Sequence, residues 1–136
     1  MSFGNTTETA ILNYTFDSQA PSWAANANFW IALHTADPAE GGSATTSESA
    51  YPSYARVAIS RTTGFTITGN QVENAAQVQF PASTGDGAPD VTHFSVVDTA
   101  SGAGNIIMRG ALLSALPTTT GITPLFAAGN LVGTLD

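Results

Sequence analysis

Two histidines, His34 and His93, are the side chains in this sequence best suited to proton transfer or metal ligation. His34 stands three residues before Asp37, within reach of a local hydrogen bond, and serines are plentiful. A Ser/His/Asp relay also needs a nucleophile set against the ring, and no Gly-x-Ser-x-Gly elbow occurs. The pattern favours a turn-stabilising His34–Asp37 contact and a structural His93, mid-strand beside Phe94. Metal spacings of the His-x-His or His-Glu-x-x-His kind are missing. Asp86-Gly87-Ala88-Pro89-Asp90 puts two carboxylates in one loop but lacks the alternating acids and closing Glu of a calcium loop, so turn chemistry explains it. The ten acidic residues fall in or near loops, and no spacing singles out a pair for glycoside hydrolysis. Gly102-Ala103-Gly104 precedes a strand, not a helix, so it reads as a hairpin turn rather than a phosphate cradle. These residues predict no catalytic site, no metal, no cofactor and no enzyme.

The elements around them read as mainly β. Residues 29–34, Phe-Trp-Ile-Ala-Leu-His, are the clearest strand, with apolar side chains on both faces and hence burial on both. Alternation predicts further strands at 54–60, 65–68, 78–80, 91–97, 106–113 and 130–135. Gly69-Asn70 and residues 101–105 read as turns, the second joining a hairpin. Asn5 with Glu8 three residues on predicts a capping box for a helix over 6–16, with Ala10, Ile11, Tyr14 and Phe16 as its apolar face. Trp23 lies in an irregular connector. Residues 39–53 and 114–124 form long polar loops, a length associated with function or mobility. About eight short strands separated by turn signals predict an all-β sandwich or barrel with one short N-terminal helix. Residues 1–136 read as a single domain without internal repeats.

Composition narrows the partners. Only 10% of residues are charged, against about a quarter in ordinary domains. Lysine is absent, the arginines are Arg56, Arg61 and Arg109, and net charge is −7. Three scattered arginines make no phosphate-binding patch, so neither nucleic acid nor an anionic membrane is expected as partner. A surface of Ser, Thr, Asn, Gln and Gly can be covered by a partner with little ion desolvation. Without cysteine, stability must come from packing. No leader peptide or span-length apolar run is evident. Phe3, Trp23, Tyr51 and Tyr54 fall in termini, connectors or loop ends, where each aromatic alone caps the domain's own core and the set can supply interface anchors.

Several segments in order carry a resemblance. They are Asn28-Phe29-Trp30-Ile31-Ala32-Leu33-His34-Thr35-Ala36-Asp37-Pro38, then Tyr54-Ala55-Arg56-Val57, then Thr92-His93-Phe94-Ser95-Val96-Val97-Asp98. Gly104-Asn105-Ile106-Ile107-Met108-Arg109-Gly110-Ala111-Leu112 and Phe126-Ala127-Ala128-Gly129-Asn130-Leu131 follow. The order resembles small virion proteins of tailed bacteriophages, loosely labelled tail-fibre proteins, some of them capsid decoration (cement) proteins. The resemblance implies a β-sandwich or jelly-roll-like subunit that oligomerises on a virion, with no catalytic residues. The leading expectation is a decoration protein whose partners are the major capsid protein and copies of itself. A tail or tail-fibre component is the alternative. A carbohydrate-binding sandwich or small hydrolase, with Trp23 or Tyr51 stacking on sugar, is the third.

Overall fold

The computed structural model describes residues 2–135. In chain order the elements are β1 (Ser2–Phe3), α1 (Asn5–Asp17), β2 (Asn28–His34), β3 (Val57–Ser60), β4 (Phe65–Thr68) and β5 (Gln71–Asn74). Then come β6 (Val78–Gln79), β7 (Val91–Val97), β8 (Ile106–Leu116), β9 (Leu125–Phe126) and β10 (Val132–Thr134). Every pairing is antiparallel. The main sheet has five strands in the order β1-β8-β7-β2-β3; β10-β5-β4 and β6-β9 form two smaller ones.

Period-two alternation gives the main sheet two apolar faces. Ile31, Leu33, Phe94, Val96 and Met108 point to one side, where they pack with Val78, Phe80 and Leu131 from the opposite layer. This is the interior of an all-β sandwich. Ala32, Val97 and Ile106 point to the other side, where Ala44 and the half-buried Trp30 complete a second, smaller core. Burial of β2 on both faces follows as the sequence predicts, because the segment from Ser43 to Glu48 folds back over the outer face and sets Ala44 against it. Bridges from His34 to Glu48 and from Ser43 to Asn105 fasten this segment to the sheet. A polar stretch expected to be mobile or functional is instead a wall of the second core.

β8 departs twice from regular pairing with β7. Ile107 is an extra residue between the Val96–Met108 and Val97–Ile106 pairs, so Ile106 joins the outer core while Ile107 and Met108 join the inner one. Further on, residues 112–115 lie opposite the single residue Thr92, between the His93–Ala111 and Val91–Leu116 pairs. Among the described residues β1 reaches β8 at Met108 and Arg109, and no strand pairs with the other edge of residues 112–115.

The helix differs from its expected form. Asn5 is its first residue and makes no side-chain cap; Gly4 holds the cap position in extended conformation. Glycine is required there because a Cβ would run into the Ile106 carbonyl oxygen. The Asn5 N–H donates to the Glu40 carbonyl instead of waiting for a capping box. Thr7 is the one buried helical residue, and its hydroxyl donates to the Ile106 carbonyl at 3.0 Å. Ala10 and Ile11 are half-buried, but Tyr14 and Phe16 stand in solvent. The expected apolar face therefore exists only in its first half, where the helix meets β8. The strand expected at 54–60 begins only at Val57, and that at 130–135 shortens to Val132–Thr134.

Candidate interaction surface

His34 and Ser95 are fully buried neighbours on β2 and β7, with Nε2 and Oγ 2.7 Å apart. His34 Nδ1 lies 2.8 Å from the Thr46 carbonyl oxygen, which can only accept, so the ring proton is on Nδ1 and Nε2 accepts from Ser95. Burial lowers the His34 pKa, outweighing the opposite pull of the Thr46 carbonyl and Glu48. The result is a neutral clamp between two strands and the covering loop. The expected His34–Asp37 contact does not form: Asp37 accepts from Arg109 at 2.6 and 2.8 Å and from the Ala39 N–H at 2.9 Å. His93 Nδ1 is 2.8 Å from the Thr92 hydroxyl, which itself donates to the Thr35 carbonyl; the ring must therefore be the donor. Among the described residues no three His, Asp or Glu side chains gather as metal ligands.

The charges likewise serve internal contacts. Arg56 forms a fork with Glu48 at 2.6 and 2.7 Å and continues to the Thr99 and Gly102 carbonyls. Tyr54 closes this latch by donating to Glu48 and accepting from the Leu33 N–H. Asp98 accepts twice from Asn105, pinning the ends of the β7–β8 connection. In the Asp86–Asp90 loop, Asp86 accepts from the Thr120 N–H and hydroxyl and so ties two loops together, a long-range contact rather than the local turn bond expected. Arg61 sits over the Phe29 ring at 4.9 Å and donates through Nη1 to the Trp23, Ala24 and Asn26 carbonyls.

The four aromatic residues expected as anchors lie mostly inside. Trp23 is 7% exposed and Tyr51 2%, both in the inner core. Tyr51 donates to the Pro81 carbonyl, and burial pushes its pKa up to about 12. Tyr54 is half-buried in the latch, and Phe3 is half-buried against the inner core. Neither Trp23 nor Tyr51 offers a ring face on which sugar could stack, which removes the motive for the carbohydrate reading.

Exposed apolar side chains sit elsewhere. Leu113 projects fully from the irregular stretch of β8, with Leu125 beside it. Phe16, Tyr14 and Leu12 line the free half of α1. Ile67, 75% exposed on β4, overhangs a cleft of about 280 Å³ between the main sheet and the β4–β5 hairpin. Phe3, Phe29, Phe65, Val72 and Met108 form its apolar walls, and Arg61 stands at its rim. The run Ala-Leu-Leu-Ser-Ala-Leu at 111–116 was the available sequence signal, since apolar residues on both faces of an edge segment cannot all be buried.

Two of the three arginines are held in carboxylate latches, and around the buried core of the β-sandwich several large apolar side chains, Phe16, Ile67 and Leu113 among them, stand in solvent. The chain belongs to the phage structural family described as Podophage GP4 fiber I protein gp80, which it matches over residues 2–134. No curated protein matches it.

Proposed function

We infer that the chain is a non-enzymatic building block of a fibre-like appendage on a phage virion, working through the surfaces it presents to neighbouring subunits. The family match across residues 2–134 carries this reading, because the description names a fibre protein. The charge-poor surface supports it, since polar uncharged groups are cheaper to cover than ions. Capsid decoration, with the chain seated between major capsid protein subunits, draws on the same surface chemistry and is the second reading. Quantitative gel analysis of purified virions separates them. An appendage subunit is expected far below the copy number of the major capsid protein. A copy number comparable with it would replace the appendage by the decoration role, and absence from purified particles would overturn both.

A further inference from the structure

We propose that Asp86–Gly87 is a site of spontaneous modification, where aspartate converts to isoaspartate, and that the contact of Asp86 with Thr120 sets its pace. This goes beyond the assembly role and holds whichever part of a particle the chain builds. The chemistry is an intramolecular acyl transfer. The Gly87 amide nitrogen attacks Cγ of Asp86. Its proton and the carboxyl OH leave together as one water, closing a five-membered succinimide ring. Water then adds back. Addition at Cγ restores aspartate, whereas addition at the Asp86 main-chain carbonyl breaks the original peptide bond and leaves the chain running through the side chain. Nothing is oxidised or reduced, and the mass is unchanged.

Sequence and structure single out this position. Glycine exposes the attacking nitrogen because no side chain stands beside it, and no other Asp and no Asn in the chain is followed by glycine. Asp37 precedes Pro38, which has no N–H to attack with. The Ser18 N–H after Asp17 donates to the Asn13 carbonyl. Val91 after Asp90 is buried in β7, and Asp98 is engaged twice by Asn105. Gly87 differs from all of these. Its N–H has no hydrogen-bond partner among the described residues. It is exposed, at φ 89°, with open space where a Cβ would stand, in the irregular stretch between β6 and β7.

The other reactant is restrained. Asp86 Oδ1 accepts from the Thr120 N–H at 2.7 Å and from its hydroxyl at 2.9 Å. Attack needs a carboxyl that can turn toward Gly87 and that carries a proton, since an ionised carboxylate has no OH to release as water. The Thr120 bonds oppose both requirements. They hold the oxygen against another loop, and they keep the carboxyl ionised by lowering its pKa below 3.8. With the nucleophile free and the electrophile tied, the reaction proceeds from the fraction of molecules in which the tie has opened. Isomerisation lengthens the main chain by one atom and shortens the arm carrying the carboxylate, so the product loses the bond that joins the two loops.

The test is to incubate the full folded chain at neutral pH and follow isoaspartate at Asp86 by peptide mapping and isoaspartyl methyltransferase labelling. Folded wild type is expected to accumulate it more slowly than chain held unfolded in urea. Thr120→Val removes the hydroxyl at an exposed site and should keep the wild-type circular dichroism. It should speed the folded-state reaction roughly twofold to tenfold, the gain from releasing one hydrogen bond. Thr120→Ser restores the hydroxyl and should return the rate to that of wild type. A Thr120→Val chain no faster than wild type overturns the gate. Unfolded chain that isomerises no faster than folded wild type overturns it without recourse to any variant. Isoaspartate appearing first at another aspartate overturns the site itself.

Discussion

His34 has both ring nitrogens hydrogen-bonded, to the Thr46 carbonyl and the Ser95 hydroxyl, and burial lowers its pKa below the ordinary 6.5. The unfolded chain therefore takes up a proton on this ring more readily than the folded one. The stabilisation is fully present above pH 6.5 and is lost as pH falls from there through the folded pKa. Urea midpoints measured between pH 7.5 and 5.5 should fall with acidification. His34→Gln should flatten that slope, and a slope unchanged by the substitution would show that the clamp does not titrate as described. Asp37 acts lower on the scale. The Ala39 N–H and, after it, Arg109 hold its carboxyl below the usual 3.8, so its contribution is present above that value and lost in stronger acid. The Arg56–Glu48 pair is a different case, since its geometry rather than its titration matters. The Arg56 side chain is 2% exposed, and removing one partner of such a pair leaves an uncompensated charge costing about 3–5 kcal/mol.

Among the elements, α1 hangs on one tight approach, where Gly4 passes the Ile106 carbonyl. Gly4→Ala should force β1 or β8 to shift and cost about 1–3 kcal/mol, read as a lower melting temperature. Gly41, where a Cβ meets only the end of the Asn5 side chain at 3.7 Å, is the matched control and should tolerate alanine. The strands show which elements the sequence makes legible. β7 spans Val91–Val97 as expected, and β2 gains only Asn28, because alternating or continuous apolar runs announce themselves locally. β1 and β9 are two residues long and carry no period, and partners distant in sequence decide both; β5, Gln-Val-Glu-Asn, is mostly polar and is drawn into a sheet by β4 across the Gly69-Asn70 turn and by the distant β10. The latch is hidden for the same reason: Arg56 meets Thr99 and Gly102 across 43 and 46 residues. Trp23 and Tyr51 read as loop aromatics because their neighbours are polar, yet the fold turns both rings inward. The apolar run at 111–116 signals that some of its side chains must be exposed, but the irregular pairing of β8 decides that Leu113 is among them.

At the scale of the molecule, few charges are present and most basic ones are engaged. A net charge of −7 sets a long-range repulsion between copies. The placement of the arginines has a consequence outside assembly. Trypsin-like proteases cut after lysine or arginine, and this chain has no lysine and three arginines. Arg56 is closed in the latch, Arg61 lies over Phe29 holding three carbonyls, and Arg109 is paired within β8. A protease needs the chain extended through its active site, so each cut requires local unfolding first. Folded protein should survive trypsin intact, whereas urea-unfolded chain should give the four peptides that three arginines define. Resistance of the folded chain to such proteases thus rests on the fold holding all three of those cleavage points, not on a lack of them.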